Sequence, residues 1–278
     1  MDNNLSNANS EQNLLSVTNL DQAEVKEFEK NDKVSPSFSE ILGKSEQTLK
    51  QEFYCYKVKE LMQKVGLIIE DKATQIEIQE DMEQAYNLGI KDFLVTPFYY
   101  SVVKGLNLKY RKGISLSVAV DYPLGEEEFK GKVAGVKEAC KNGADYVMCV
   151  LPEKAIKLAC FMQEKRKIAK CGRVSKKPFG VIAKASLEES ELQRILKNTD
   201  CIKSDSIVIE GYGEDVYKLK DSIRTAISFK GNRKLFVITS VDTVEKLTLI
   251  MDGKIDKMFT PHANRIAQEL NKIATLQS

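Results

Sequence analysis

The chain contains no tryptophan, a single histidine, and six cysteines that form no paired motif. The cysteines show neither a CxxC pair nor His and Cys at metal-ligand spacing, which argues against a zinc site or a redox pair. Most of them lie in apolar runs, which is typical of buried free thiols in a reducing compartment. We therefore expect neither a metal site nor a cofactor.

The chain also lacks an excess of charge of one sign, because 42 basic and 40 acidic residues leave a net charge of +2. This balance gives no electrostatic reason to expect nucleic acid or an anionic membrane as a partner. We interpret the largest basic cluster, between Lys165 and Lys177, as a solvated helix face. No apolar run is long enough to span a bilayer, and the N-terminus has no signal-peptide pattern. The sequence predicts a cytoplasmic protein.

Residues 1–45 have little periodic apolar pattern and are rich in Asn, Ser, Glu, Asp and Lys. A segment of this composition cannot bury enough apolar surface to offset the entropy lost on ordering. We therefore expect a disordered N-terminal tail over residues 1–45 and a folded domain over residues 46–278.

Short apolar runs alternate with helical segments from about residue 65 onward. The runs are rich in Val, Ile and Phe without strict alternation, which is typical of strands covered on both faces. Eight such runs predict an α/β fold, the (β/α)8 TIM barrel. A doubly wound open sheet is the alternative, disfavoured because no Gly-rich phosphate turn follows the first run. The predicted strands are Gly66–Ile69, Asp92–Thr96, Ile114–Val120, Asp145–Val150, Phe179–Lys184, Ser206–Glu210, Leu235–Thr239 and Asp256–Phe259.

The stretch Ser115–Ala155 shows the repeating unit most clearly, with two apolar strands and one amphipathic helix between them. A β-loop-α-loop-β unit of this kind implies parallel strands. Active sites of such folds gather where the strands end, so Asp121 and Tyr122 are among the first places to look for chemistry. A single long helix is predicted after this unit, over Glu153–Lys170.

Several motifs of the chain resemble those of the deoxyribose-phosphate aldolase family, a group of Schiff-base aldolases with a (β/α)8 barrel. Val118–Gly125 is similar to the third-strand motif, and Gly143–Pro152 closely resembles the fourth strand. Gly180–Glu189 follows the pattern of the fifth strand and its helix start. Asp92–Pro97 resembles the second strand, and the last two strands are similar more weakly. The resemblance covers roughly residues 65–275.

The resemblance implies a chemistry whose residues this chain does not have. The family uses a lysine on the sixth strand to form an imine, a second lysine on the seventh strand, and an aspartate on the fourth strand that shuttles protons. Alignment puts Met148 at the aspartate, Val208 at the imine lysine, and Phe236–Ile238 at the second lysine. We expect the ordinary aldolase mechanism to be absent. A shifted register of the sixth strand would instead supply Lys203.

The phosphate site that the resemblance implies also departs from the family pattern. The family cradles phosphate with backbone N–H groups of glycine-rich turns after the seventh and eighth strands. Here the corresponding residues are Thr239 and Ser240, and then Thr260 and His262, whose side chains are candidate phosphate or substrate ligands. Thr96 and Asp121, which follow other strands, are two further candidate ligands.

Lys184 and Glu210 are the polar residues that end the predicted fifth and sixth strands. Adjacent strands would present them as a pair of opposite charge. One hypothesis is a salt bridge that stabilises the barrel mouth. The other makes Lys184 a relocated imine lysine, but a close carboxylate favours the charged ammonium whereas imine formation needs the neutral amine.

The sequence thus predicts a degenerate homologue of the family that binds a small phosphorylated or carbonyl metabolite, or a protein partner, and that is compatible with a homodimer. The alternative is an active Schiff-base aldolase or lyase that acts on deoxyribose 5-phosphate or a related aldehyde through Lys184 or Lys203, with Glu210 beside the first of these.

Overall fold

Eight parallel strands pair in chain order, and the last strand pairs with the first to close a barrel. The computed structural model describes residues 57–70, 74–105, 113–157, 160–199, 202–251 and 253–276. The predicted TIM barrel is confirmed, and the open-sheet alternative is wrong because Leu67 is in register with Thr260 across the closing pair. The strands are β1 Val65–Ile69, β2 Asp92–Val95, β3 Ser115–Val120, β4 Tyr146–Val150, β5 Phe179–Lys184, β6 Ser206–Gly211, β7 Lys234–Thr239 and β8 Lys257–Thr260.

Helices connect the strands and form the outer layer. The tail predicted over residues 1–45 and its boundary at residue 46 lie outside the described residues. The helices are α1 (described over residues 57–64), α2 Gln75–Asn87, α3 Pro97–Gly105, α4 Phe129–Asn142, α5 Glu153–Lys157, α6 Phe161–Val174, α7 Glu189–Thr199, α8 Val216–Phe229, α9 Val244–Ile250 and α10 Ala263–Leu276.

Local sequence signals explain where several helices begin and end. Thr74 caps α2 in a capping box, because its hydroxyl accepts from the N–H of Glu77 while the Glu77 carboxylate accepts from the N–H of Thr74. Gly143 ends α4 at φ 94°, a left-handed conformation that costs glycine little. These signals bring the chain back to the sheet within a few residues.

Two helical predictions need correction. The single helix expected over Glu153–Lys170 is in fact two helices, α5 and α6. Ala155 and Phe161 are both buried, and on one straight helix they would lie roughly 120° apart around its axis, so the break lets each helix turn its own buried side toward the barrel. Helix α3 was not predicted, because its aromatic and β-branched residues are typical of strands.

The strands separate two apolar layers. Outward side chains pack against the helices, and inward side chains fill the barrel interior. The C-terminal ends of all eight strands meet at one face, here called the mouth, which positions the candidate site. Among the residues that the structure describes, no helix is both long and apolar enough to cross a membrane.

Candidate functional site

Apolar side chains fill the middle of the barrel interior. Tyr146 and Phe236 meet edge to face with ring centroids 5.1 Å apart, and Phe236 meets Phe259 at 6.2 Å. Burial raises the pKa of Tyr146 to about 12, with smaller contributions from nearby carboxylates, so this phenol stays neutral at physiological pH. The other members of this inner cluster are Ile68, Leu94, Ala119, Met148, Val150, Ile182, Val208 and Ile238.

Of the positions at which the family resemblance implies catalytic residues, Met148, Val208, Phe236 and Ile238 lie in this inner cluster, and Val237 lies in the outer apolar layer. Met148 and Val208 are completely buried, and their side chains occupy the space in front of Gly180. A β-carbon on Gly180 would lie 3.2 Å from Met148 Cγ and 3.2 Å from Val208 Cγ2. Phe236 and Ile238, on the neighbouring strand β7, are also buried. None of these four side chains can form an imine or transfer a proton.

Lys184 and Glu210 form the expected pair at the mouth. They are in register on β5 and β6, and Lys184 Nζ lies 3.0 Å from Glu210 Oε2. The Glu210 side chain is 4% exposed and that of Lys184 is 19% exposed, so the ammonium is the more accessible partner. The second carboxylate oxygen of Glu210 accepts from the N–H of Tyr212 at 3.1 Å. The pair is therefore fixed by both strands and by the turn after β6.

Tyr122 is a mouth residue that the predicted site left out, although its strand-end position had marked it. It packs against the inner cluster from the loop after β3. Burial raises its pKa well above the usual range, and the nearby charges of Glu210, Glu70 and Tyr212 raise it further. Tyr122 is therefore a neutral phenol that can donate a hydrogen bond beside a carboxylate.

Asp121 holds the loop after β3 rather than pointing an unused carboxylate into the mouth. Its Oδ2 lies 2.6 Å from Nζ of Lys132, a fully buried lysine on α4, and both carboxylate oxygens accept from the N–H of Glu127. Lys132 also donates to the carbonyl of Gly125 at 2.6 Å. Both carboxylate oxygens of Asp121 therefore already have partners within the protein, and a ligand would have to displace them. Lys132 was missed, although its place in the buried stripe of α4 was a readable signal.

The hydroxyls proposed as phosphate ligands after β7 and β8 bond to the loops themselves. Thr239 Oγ1 accepts from the N–H of Val241 at 3.3 Å, and Thr260 Oγ1 donates to the Val241 carbonyl at 2.7 Å. Thr260 Oγ1 also accepts from the N–H of His262, and Ser240 Oγ accepts from the N–H of Gly213, both at 3.2 Å. These side chains cap the backbone donors that an anion would need.

Three of the sequence candidates lie away from the Lys184–Glu210 pair. Thr96 follows β2 across the barrel, and its carbonyl accepts from the N–H of Tyr100 as α3 begins. His262 is exposed at the start of α10. Lys203 is exposed three residues before β6, at the opposite end of the barrel from the mouth. The shifted register that would have brought Lys203 into the barrel is not the one that the structure adopts.

Lys184, Glu210 and Tyr122 thus give the mouth an ammonium, a buried carboxylate and a neutral phenol. Such a set can hydrogen-bond hydroxyl or carbonyl groups of a small molecule, and it can move a proton between Glu210 and a bound oxygen. The described residues include no group of three or more His, Cys, Asp or Glu side chains arranged to hold a metal ion.

Comparison with known proteins gives consistent relatives, while no family model matches the chain. Deoxyribose-phosphate aldolase of Mycoplasmoides pirum is 30% identical over 173 residues, which are 59% of this chain and 75% of that protein. The enzyme of the same name from Mycoplasma pneumoniae is 26% identical over 189 residues, which are 64% of this chain and 80% of that protein.

Solved structures agree on the fold. A structure described as QR15, an aldolase, superposes with a TM-score of 0.68 at 17% identity. The superposition covers 78% of this chain and 99% of the other. At that level of identity the likeness concerns the barrel alone.

Proposed function

The chain belongs to the deoxyribose-phosphate aldolase family, and from this premise we propose that it is a member that has lost the imine chemistry. In this proposal the barrel mouth no longer cleaves a carbon–carbon bond. It binds a small carbonyl or phosphorylated metabolite, or a protein partner, through Lys184, Glu210 and Tyr122.

The observation that carries this proposal is the apolar interior. Met148 and Val208 align with the acid and the imine lysine, the segment Phe236–Ile238 aligns with the second lysine, and all of these residues are buried. A charged lysine at position 208 would need a nearby carboxylate or bound water, because an unpaired buried ammonium is strongly disfavoured. The side chains around Val208 are apolar, and Glu210, two residues further on the same face of β6, is already paired with Lys184, so these surroundings favour an apolar residue over an imine lysine.

Between the two classes of metabolite, the loop contacts favour the carbonyl compound. The N–H groups of Gly213, Val241 and His262 each donate to a serine or threonine hydroxyl, so these donors are already used. A phosphate dianion would have to displace these bonds. A neutral carbonyl or hydroxyl group needs only the Tyr122 phenol and the Lys184–Glu210 pair.

An active enzyme is the second candidate, and the position of Lys184 is the observation that favours it. The lysine lies at the mouth and is partly exposed, with Glu210 at 3.0 Å as a neighbouring proton acceptor. If Glu210 took a proton from the ammonium, the free amine could attack an aldehyde. The close ion pair opposes this step, because it stabilises the charged form.

Borohydride trapping separates the two candidates. The full chain is incubated with deoxyribose 5-phosphate, reduced with borohydride and weighed by intact mass spectrometry, beside an authentic deoxyribose-phosphate aldolase. We expect the wild type and Lys184→Met to show the same small mass increase, because in both proteins only surface lysines react.

A stoichiometric adduct that maps to Lys184 and is lost in Lys184→Met would contradict the proposal. Binding is followed separately by thermal unfolding with added sugars and sugar phosphates. Self-association remains a prediction, which the molar mass of the full chain in solution would test.

A further inference from the structure

Helices α4 and α6 form a continuous basic surface on the outside of the barrel, far from the chemistry of the mouth. Lys170 on α6 lies over the Phe129 ring of α4, with Nζ 5.0 Å from the ring centroid. Cys140 of α4 contacts Ser175, just after α6, at 3.6 Å between Sγ and Oγ. The two helices therefore pack side by side.

Seven exposed cations lie on this surface, against one exposed carboxylate within the two helices, that of Glu138, and three exposed glutamates, Glu126–Glu128, at the start of α4. In the described part of the chain, none of the seven forms an ion pair. We call these residues the basic face: Lys130, Lys137, Lys141, Arg166, Lys170, Arg173 and Lys176.

The charge balance differs from helix to helix, and α8 is also basic, with three basic residues and one acidic residue. Helix α2 carries four acidic residues and no basic ones, and α7 carries two of each sign. The net charge of +2 therefore hides a strongly uneven distribution. Surface charges of both signs are usually interspersed, so a face of one sign on two adjoining helices calls for an explanation.

The spacing of these charges suits a multivalent anion. Residues four apart on a helix are separated by about 6 Å along its axis. Packed helices lie about 8–10 Å apart. Both distances are within the screening length of about 10 Å at 0.1 M salt, so the fields of the seven cations add. A chain of phosphates would relieve their mutual repulsion.

We propose that the basic face binds the phosphate backbone of double-stranded nucleic acid, independently of base sequence and of the proposed function of the mouth. The basic face has no exposed aromatic side chain on which unpaired bases could stack. Only one exposed large apolar side chain, Met162, lies at its edge, which is too little for insertion into a membrane. The seven charges fit electrostatic contact with a regular array of phosphates.

The test measures fluorescence anisotropy of a labelled 20-base-pair duplex, of mixed sequence, against the full chain from low to high salt. We expect micromolar binding at low salt, and the logarithm of the affinity should fall linearly with the logarithm of the salt concentration. The variant Lys141→Gln/Arg166→Gln/Arg173→Gln should bind at least about tenfold more weakly, with a salt slope lower by about 2.7, as expected for three lost phosphate contacts.

The matched control removes three exposed cations from elsewhere, as Lys59→Gln/Arg224→Gln/Lys272→Gln. It should keep most of the affinity, and circular dichroism should show that both variants are folded. Absence of binding at low salt, or equal loss in both variants, would overturn the proposal. So would tighter binding to the single strand, or to phosphatidylserine-containing vesicles, than to the duplex.

Discussion

At the scale of single residues, buried charges occur in this protein only as pairs within the part of the chain that the structure describes. Lys132 lies 2.6 Å from Asp121, and Glu210 lies 3.0 Å from Lys184. Each pair also has hydrogen bonds to the backbone, which offset the cost of desolvation. The interior residues Met148 and Val208 are uncharged and lie among apolar side chains, in keeping with the same rule.

The Asp121–Lys132 pair should be a major source of stability. Replacement of Lys132 by Met leaves the Asp121 carboxylate without its buried partner, a change that typically costs about 3–5 kcal/mol of unfolding free energy. Chemical denaturation of Lys132→Met measures this loss. The matched control is Lys154→Met, which removes an exposed lysine at 2.7 Å from Glu126 and should leave the unfolding midpoint unchanged. Equal shifts of the unfolding midpoint in the two variants would show that the buried ion pair of Lys132 contributes no more to stability than the exposed one of Lys154.

The buried phenol of Tyr146 should make the protein less stable in alkali. Its pKa is about 12 in the folded protein and 10.0 in the unfolded chain, so the folded state holds the proton longer as pH rises. The contribution of Tyr146 to stability is therefore constant below pH 10 and falls through the window from pH 10 to 12. Between pH 8 and 11, the loss should be smaller in Tyr146→Phe than in the wild type by about 1.4 kcal/mol. Urea unfolding at pH 8 and pH 11 measures the loss of unfolding free energy in each protein. Equal losses in the wild type and in Tyr146→Phe would show that Tyr146 is not the cause.

At the scale of elements, strand positions were predictable because burial on both faces leaves a strong composition signal. All eight predicted strands agree with the structure to within one residue at each end. The Lys184–Glu210 pair followed from the same pattern, since two strand ends in register bring their last side chains together. The break between α5 and α6 could not be predicted from this pattern, because it depends on which side of each helix packs against the barrel.

The loops were the least predictable elements. Sequence position suggested that Thr239, Ser240 and Thr260 would face a ligand, whereas their hydroxyls cap backbone groups of the neighbouring loops. A serine or threonine hydroxyl can bind a ligand or can hydrogen-bond to a nearby backbone group, and the loop conformation determines which of the two occurs. The same applies to Asp121, whose partner Lys132 is eleven residues further along the chain.

At the scale of the whole molecule, the closed barrel places two distinct surfaces apart from each other. The mouth collects the ends of the strands, and the basic face covers α4 and α6 on the outside. The net charge of the chain predicts neither surface, because it sums an acidic helix such as α2 with a basic helix such as α6. The barrel architecture agrees with the family, and the middle of its interior is lined by apolar side chains.

The proposed loss of aldolase activity is tested most directly by measuring the turnover of deoxyribose 5-phosphate by the full chain at high protein concentration. Substrate remaining is followed over time by mass spectrometry, with an authentic aldolase as positive control. We expect loss of substrate equal to that in buffer alone, for the wild type and for Lys184→Met. A loss that rises in proportion to wild-type protein and disappears in Lys184→Met would contradict the account, because it would show that the chemistry has moved to Lys184.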